Sequence, residues 1–290
     1  MANLKELRNR ISSVGSTMQI TSAMKMVSAA KLSKAQDAIT KMRPYADTLT
    51  ELLQNLSASL DGQSDSPLTV QRDVKNVLII AISSNKGLAG AFNSNIVKQV
   101  KNLATGRFKN ESISLACIGK KAYEVLNAKS YIVDYHNEEM VNKLTYQEVA
   151  EFTEKIMNDF ETETYDQVVL IYNHFKNAGT QIVLTEDFLP IKQEQQEVDF
   201  NSSQVDYIFE PEKQEIIKEL IPKSLKMQLF KALRDSIASE HGARMTAMHK
   251  ATDNAKELRD DLKLSYNKAR QAAITNEILE IVAGAEALSD

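Results

Sequence analysis

The stretch "MHKATDNAKELRDDLKLSYNKARQA", residues 248–272, decides the architecture of this chain. Two rows of residues spaced seven apart run through it, and they are Met248, Ala255, Leu262, Ala269 and Ala251, Leu258, Ser265, Ala272. A seven-residue repeat is typical of a coiled-coil helix, and the many Ala and Ser residues allow a partner helix to approach closely. Because no proline occurs from Lys223 to the C-terminus, we expect one long helix here.

The N-terminal segment offers the simplest partner for that helix. Apolar residues recur three and four apart at Leu4, Leu7, Ile11, Val14 and Met18, and the same rhythm resumes within "ITSAMKMVSAAKL", residues 20–32, at Ile20, Met24 and Val27. This spacing predicts a second helix in a coiled-coil period, with Pro44 as a kink or restart. The alternative is that the C-terminal helix packs in a bundle with other subunits.

The middle of the chain has a different character. Continuous β-branched runs predict strands, at "VKNVLIIAIS" (74–83), "ISLACIG" (113–119), "SYIVDY" (130–135), "QVVLIYN" (167–173) and "QIVLTEDFLP" (181–190). Helical patterns at 90–104, 119–128 and 145–162 separate most of them, which predicts an α/β domain with a largely parallel sheet and an antiparallel pair at one edge.

Breaker-rich and polar segments set the expected domain boundaries. "DGQSDSP" (61–67) and "EQQEVDFNSSQ" (194–204) read as connections, and Pro211 is suited to a helix start. We therefore expect an N-terminal coiled-coil helix at 1–60, a Rossmann-like globular domain at 61–209, and a C-terminal coiled-coil helix at 210–290.

The composition agrees with long helices. Gly (9) and Pro (5) are scarce, and tryptophan is absent. Cys117 is the only cysteine, so an intrachain disulfide is impossible, and its apolar neighbours indicate a small buried hydrophobe. No apolar run approaches the length of a membrane span, and the N-terminus lacks a signal-peptide core.

Charge is unevenly distributed. Residues 1–43 hold eight Lys or Arg against two acids. Such a basic helix suits an acidic partner surface, although a solvated basic face is the plainer interpretation. Nucleic acid is disfavoured because no aromatic residues are interleaved with these basic side chains.

No motif indicates that the chain itself catalyses a reaction. "SSNKGLAG" (83–90) follows the first strand as phosphate-binding turns do, but its glycine spacing fits neither nucleotide motif, so a structural turn is favoured. His241 and His249 are eight apart and lack further ligands for a metal. We expect no catalytic residue, cofactor or metal. Arg270 and Gln271 are long donors suited to carboxylates on partner loops, or to solvent.

Both termini resemble the gamma subunit of the F-type ATP synthases. "ITSAMKMVSAAKL" is similar to the family's N-terminal signature, and "SEHGARMTAMHKATDNAKEL" and "LSYNKARQAAITNEILEIVAGAEAL" are similar to its C-terminal signature. "SSNKGLAGAFN" resembles the family's strand-to-helix turn, and the resemblance covers the whole chain in order.

The resemblance implies a fold and a set of partners. The terminal helices would form an antiparallel left-handed coiled coil, with a Rossmann-like α/β domain inserted between them. The coiled coil would stand inside three alpha and three beta subunits, and the globular part would bind the epsilon subunit and the membrane rotor c-ring. The chain would couple proton-driven rotation to ATP synthesis and hydrolysis at the beta subunits, without bond chemistry, nucleic acid or membrane insertion of its own.

The resemblance also assigns contact or coupling roles, at Met24, Lys25, Asn85, Lys86, Arg244, Arg270, Gln271, Thr275 and Glu277. Asn85 and Lys86 stand where the family usually has an Asp-Arg pair, so a salt bridge there is in doubt. Gly242 stands where Ala is common.

Two other classes of function stay open on the residues alone. One is a nucleotide sensor or enzyme with its site at Ser83–Gly90, and the other is a free-standing coiled-coil scaffold associated with DNA. The resemblance, with no transit-peptide pattern, favours a peripheral protein on the cytoplasmic face of a bacterial membrane over the mitochondrial matrix.

Overall fold

The computed structural model describes residues 4–58, 66–191 and 213–289. Its helices are α1 (Leu4–Ala58), α2 (Phe92–Thr105), α3 (Lys120–Asn127), α4 (Glu139–Asn142), α5 (Tyr146–Glu161) and α6 (Lys213–Ser289). Its strands are β1 (Asn76–Ile82), β2 (Ser112–Ile118), β3 (Ile132–Asn137), β4 (Gln167–Asn177) and β5 (Thr180–Leu189). These elements confirm the predicted order of an N-terminal helix, an α/β layer and a long C-terminal helix.

The chain forms two compact units. The terminal unit comprises Met1–Ser28 and Arg244–Asp290, and the globular unit comprises Ala29–Ala243. Most of the predicted linker at 61–67, the connection at 194–204 and Pro211 lie outside the described residues. The domain boundaries expected at 60/61 and 209/210 fall there too, and they stay predictions.

The globular unit is built on a five-stranded sheet in the order β3-β2-β1-β4-β5. β1 pairs with β2 and β4 in parallel, and β4 pairs with β5 as an antiparallel hairpin, as predicted. Val77 to Ile82 are all fully buried because helices cover both faces of the sheet, which is why β1 reads as an unbroken apolar run.

Two apolar layers flank this sheet. On one face, α2 and α3 bury a layer that includes Ile96, Val100 and Leu126. On the other face, α5 packs with the first turns of α6 through Phe160, Leu225 and other buried residues. α5 begins where Thr145 caps it by accepting a hydrogen bond from the Glu148 backbone N–H.

The terminal unit is an antiparallel helix pair. Arg8 on α1 contacts Tyr266 on α6, Met18 contacts Arg259, and Thr21 contacts Thr252. Positions that rise along α1 meet positions that fall along α6, so the two segments run in opposite directions. The contacts confirm the predicted antiparallel coiled coil, and the heptad spacing makes it left-handed.

On α6, one of the two predicted rows of seam residues is displaced by one position. On α6, Met248 and Ala255 are buried as expected, but Leu258 is 51% exposed. The second row of the seam is instead Thr252, Arg259, Tyr266 and Ala273. The prediction followed the apolar residues, whereas the helix pair places polar side chains toward its partner.

The same error occurs on α1. Ile20 and Val27 are 60% and 57% exposed, while Thr21 and Ser28 are buried. Their hydroxyls donate to backbone carbonyls of the preceding turn, Thr21 to Met18 and Ser28 to Met24. Both hydroxyls are therefore buried with a hydrogen-bond partner. A strict heptad count from Met18 gives Thr21, not Ile20, as the next seam position.

Candidate functional site: an exposed helical surface for partner proteins

Met24 lies in an outward-facing apolar row. Ile20 and Val27 are four residues before it and three after it, and both are exposed, so the three side chains share one face of α1. Met24 itself is half-buried. The row that the sequence analysis placed in the seam is therefore a candidate contact surface on the outside of the terminal unit.

Lys25 points the other way. Its Nζ lies 3.3 Å from Nδ1 of His249 on α6, and the side chain is half-buried. His249 Nδ1 also lies 3.4 Å from the Asp253 carboxylate. Lys25 is thus engaged within the terminal unit, and its expected role toward another subunit stays a prediction.

Other polar side chains of the seam were missed from sequence. Arg8 donates to the Tyr266 hydroxyl at 3.0 Å, and this hydrogen bond raises the pKa of the guanidinium. Thr252 donates to Thr21 at 2.8 Å. The strict heptad could have found Thr252 and Tyr266, which polarity alone marks as solvent-facing, whereas the exposed Arg8 flanks the seam.

Of the expected C-terminal contact residues, four lie on the surface of α6 and one does not. Arg270, Gln271, Thr275 and Glu277 are all exposed, whereas Arg244 is buried at 8% exposure. The Thr275 hydroxyl donates to the Gln271 carbonyl at 2.9 Å. The first four are exposed for contact with another protein, whereas the Arg244 side chain is buried, and its expected role toward another subunit stays a prediction.

An apolar surface extends beyond the paired part of α6. Since Arg8 lies opposite Tyr266, the first described residue of α1, Leu4, comes opposite the next turn of α6, near Arg270. Past that turn α6 has no α1 partner among the described residues. Five large apolar side chains there are between 44% and 71% exposed, and they are Ile274, Ile278, Leu279, Ile281 and Val282. Contiguous exposed apolar surface marks a protein interaction site.

The turn after β1 is held by its own side chains. The Asn85 amide donates to the Glu138 carbonyl at 2.7 Å and accepts from the Lys120 N–H at 3.0 Å. Asn85 therefore bridges the turn to the start of α3 and to the segment after β3. Its neighbour Lys86 is exposed, and Leu88 adopts a φ of 62° with 66% exposure at the tip.

Two helices begin beside this turn, α2 and α3, and backbone donors at both are used within the chain, which disfavours the nucleotide alternative. At α2 the Phe92 N–H donates to the Ala89 carbonyl at 3.2 Å. Nucleotide-binding folds use free backbone N–H groups at a helix N-terminus to hold phosphate. At α3 these groups are taken: Lys120 N–H by Asn85, Lys121 N–H by the Ser84 carbonyl, and Ala122 N–H by the Ser83 hydroxyl. Gly119 brings the backbones so close that an added Cβ would lie 2.2 Å from the Ser83 oxygen.

Neither the Cys117 thiol nor the potential metal ligands among the described residues are arranged for a reaction. Burial of Cys117 raises the pKa of its thiol to about 12, so the reactive thiolate is scarce at neutral pH. No group of three or more potential metal ligands occurs in residues 4–58, 66–191 and 213–289. Within the same part of the chain, no helix is apolar over a length sufficient to span a membrane.

The comparisons with known proteins match the chain along its length. Residues 3–288 match the family described as ATP synthase. The "ATP synthase gamma chain" of Christiangramia forsetii is 65% identical over 289 residues, covering 100% of both chains. A solved chain from the central stalk and c-ring of the Tetrahymena thermophila mitochondrial ATP synthase has a TM-score of 0.61 at 26% identity, and the match covers 80% of this chain and 99% of that one.

A second solved structure supports the fold. A chain of the Euglena gracilis mitochondrial ATP synthase, from its F1 and c-ring assembly, has a TM-score of 0.70 at 19% identity, with 98% of this chain and 94% of that chain covered. The antiparallel terminal helices, the parallel-rich sheet and these whole-length matches lead to one assignment. The chain belongs to the family of ATP synthase gamma chains.

Proposed function

We propose that the chain is the central rotor shaft of an F-type ATP synthase. In this role proton flow turns a membrane ring, the ring turns the chain, and the chain drives the catalytic beta subunits through their binding states. The chain makes and breaks no bonds itself, and the ATPase activity belongs to the assembly. The observation that carries the proposal is the apolar end of α6, which extends past its α1 partner with Ile278 and Ile281 exposed.

That surface suits an enclosing sleeve of other subunits. An isolated protein gains nothing from a row of exposed isoleucines, and burial against a partner removes them from water. The outward row with Ile20 and Val27 gives a second apolar contact zone in the same unit. We infer that these two zones touch the three alpha and three beta subunits, with Met24, Arg270, Gln271, Thr275 and Glu277 among the coupling contacts.

Charge supports acidic partner surfaces along α1. Lys31, Lys34 and Lys41 are exposed and recur three and seven residues apart, so they share one side of the helix. Acidic loops on the catalytic head would complement this side, and Arg270 on α6 adds a fork suited to carboxylates. Long-range attraction of this kind guides assembly and weakens at high salt.

The remaining expected partners belong to the globular unit. We infer that this unit binds the epsilon subunit and rests on the membrane c-ring, and that Asn85 and Lys86 lie at a contact with the catalytic head. The chain would then be peripheral on the cytoplasmic face of the bacterial cell membrane. High identity to bacterial relatives named ATP synthase gamma chain supports this location.

The experiment is native mass spectrometry of a tagged copy extracted from its own membranes in mild detergent, with an untagged strain as control. We expect one copy of the chain with three copies each of two larger ATPase subunits. Recovery of the chain alone, or as a homodimer that excludes such subunits, contradicts the proposal.

A further inference from the structure

The β4–β5 hairpin is attached to α6 by a row of polar contacts inside the globular unit. The Gln228 amide donates to the Glu186 carboxylate at 3.1 Å, His174 Nδ1 lies 2.6 Å from the Asp235 carboxylate, and the Ser239 hydroxyl donates to the Asn173 carbonyl at 3.0 Å. The three α6 residues are spaced seven and four apart, so they lie on one face of the helix. We call this set of contacts the polar attachment.

The central contact of the polar attachment is buried on its Asp235 side. The Asp235 side chain is 3% exposed and the His174 ring is 36% exposed. A buried carboxylate is costly unless it accepts hydrogen bonds, and the tautomer of His174 that carries its proton on Nδ1 supplies one at 2.6 Å. Ser239 is fully buried as well. The Asp235 carboxylate and the Ser239 hydroxyl are therefore polar groups that the fold buries with hydrogen-bond partners.

Gly242 continues the same face of α6 by three residues. A Cβ at this position would lie 3.1 Å from the Ala178 carbonyl, in the hairpin turn, so the glycine lets the turn approach the helix closely. The Gln181 amide donates to that same carbonyl at 3.1 Å. The hairpin therefore follows α6 from Gln228 to Gly242.

Apolar packing alone would fix α6 less strictly. Leu225, Leu229 and Leu233 are fully buried against the sheet, but apolar contact is non-directional and restrains small rotations of a helix less than a hydrogen bond does. A hydrogen bond has a required distance and angle. The polar attachment thus sets the rotation of α6 about its axis relative to the sheet.

This matters because α6 is one unbroken helix from Lys213 to Ser289, and it supplies Arg244–Asp290 to the terminal unit. We propose that His174 and Asp235 are positioning residues for rotary coupling, holding α6 against turning within the globular unit. The inference rests on the proposed rotor function. It adds His174 and Asp235 to the residues on which coupling depends.

The test uses the whole ATP synthase reconstituted in vesicles, and it measures ATP hydrolysis and ATP-driven proton pumping on the same sample. His174→Leu removes the donor at similar volume, while His174→Asn keeps an N–H donor near the Nδ1 position. We expect His174→Leu to lose pumping per ATP hydrolysed and His174→Asn to keep it. Because the ratio is measured on assembled enzyme, a merely structural effect on yield does not change it.

Arg107→Gln is the matched control. Arg107, just after α2, forms an ion pair at 2.8 Å with Asp187 on β5, and neither residue belongs to the polar attachment, so its loss should leave the ratio unchanged. If His174→Leu does not assemble, Ser239→Ala removes another contact of the polar attachment with almost no change in volume, and it should lower the ratio.

Three results overturn the inference. They are an unchanged ratio in assembled His174→Leu, an unchanged ratio in Ser239→Ala, and equal loss in His174→Asn and His174→Leu. Failure of the wild-type chain to co-purify with ATPase subunits would instead contradict the proposed function, so the two failures are distinguishable.

Discussion

Replacing Ile278 and Ile281 by serine tests whether the apolar end of α6 is buried in the working complex. The two side chains lie three residues apart on one face, and they are 54% and 71% exposed in the isolated chain. Serine and isoleucine have similar helix propensities, so the double variant should keep α6 helical. The change therefore removes apolar surface and little else.

The expected effect follows from the exposed fractions. Complete burial of one isoleucine contributes about 1.5–3 kcal/mol, so burying the part that is still exposed contributes about 1–2 kcal/mol per residue. For two residues this is about 2–4 kcal/mol, which weakens binding about 30- to 1,000-fold. The assay titrates a fluorescently labelled chain with a catalytic head that lacks it, and it compares the dissociation constants.

Two polar neighbours supply the control. Asn276 and Glu280 are exposed on the same part of α6, and Asn276→Ser with Glu280→Gln should change the dissociation constant by no more than about twofold. Circular dichroism confirms equal helix content in all three proteins. An Ile278→Ser/Ile281→Ser chain that is fully helical and binds like the wild type would refute burial of this surface.

Three further predictions concern single residues. Gly119→Ala should lower the free energy of unfolding of the globular unit by at least about 3 kcal/mol, because the φ of 99° and the 2.2 Å approach to the Ser83 carbonyl oxygen exclude a Cβ. Gly87→Ala is the control, since a Cβ there meets open space. Urea unfolding compares the two variants, and equal midpoints would contradict the argument. Asn85→Asp should cost about 1–2 kcal/mol, since a carboxylate cannot donate to the Glu138 carbonyl, and a thermal midpoint at or above the wild type would be the contrary result. Met24→Lys should reduce proton pumping per ATP more than complex yield, and normal coupling would remove Met24 from the coupling contacts.

The sheet was predictable from sequence because its strands are buried on both faces. β1 has no polar side to present, so the unbroken run from Val77 to Ile82 was a sufficient signal. The hairpin was predictable because only a short turn at Ala178 and Gly179 separates β4 from β5. Burial and connection length are properties that a single sequence displays directly.

The seam and the polar contacts were harder to predict from the sequence. Thr21 and Ser28 satisfy their hydroxyls on carbonyls of their own helix, so burial does not penalise them as their polarity implies. The pairing of His174 with Asp235 joins residues 61 positions apart and leaves no local pattern at either one. Arg270 and Gln271 were identified as candidates, but exposure alone does not state what they bind.

The small and polar seam has a consequence for copies of the chain that never find an assembly. A helix pair joined in part through Thr21, Thr252 and Ala255 buries less apolar area than one joined through leucines at those positions, so it opens locally at a lower cost in free energy. Proteases cleave such transiently opened segments in proportion to the time they spend open. We expect unassembled copies to be degraded quickly and assembled ones to persist, so that the cell's supply of this subunit adjusts itself to the number of complexes.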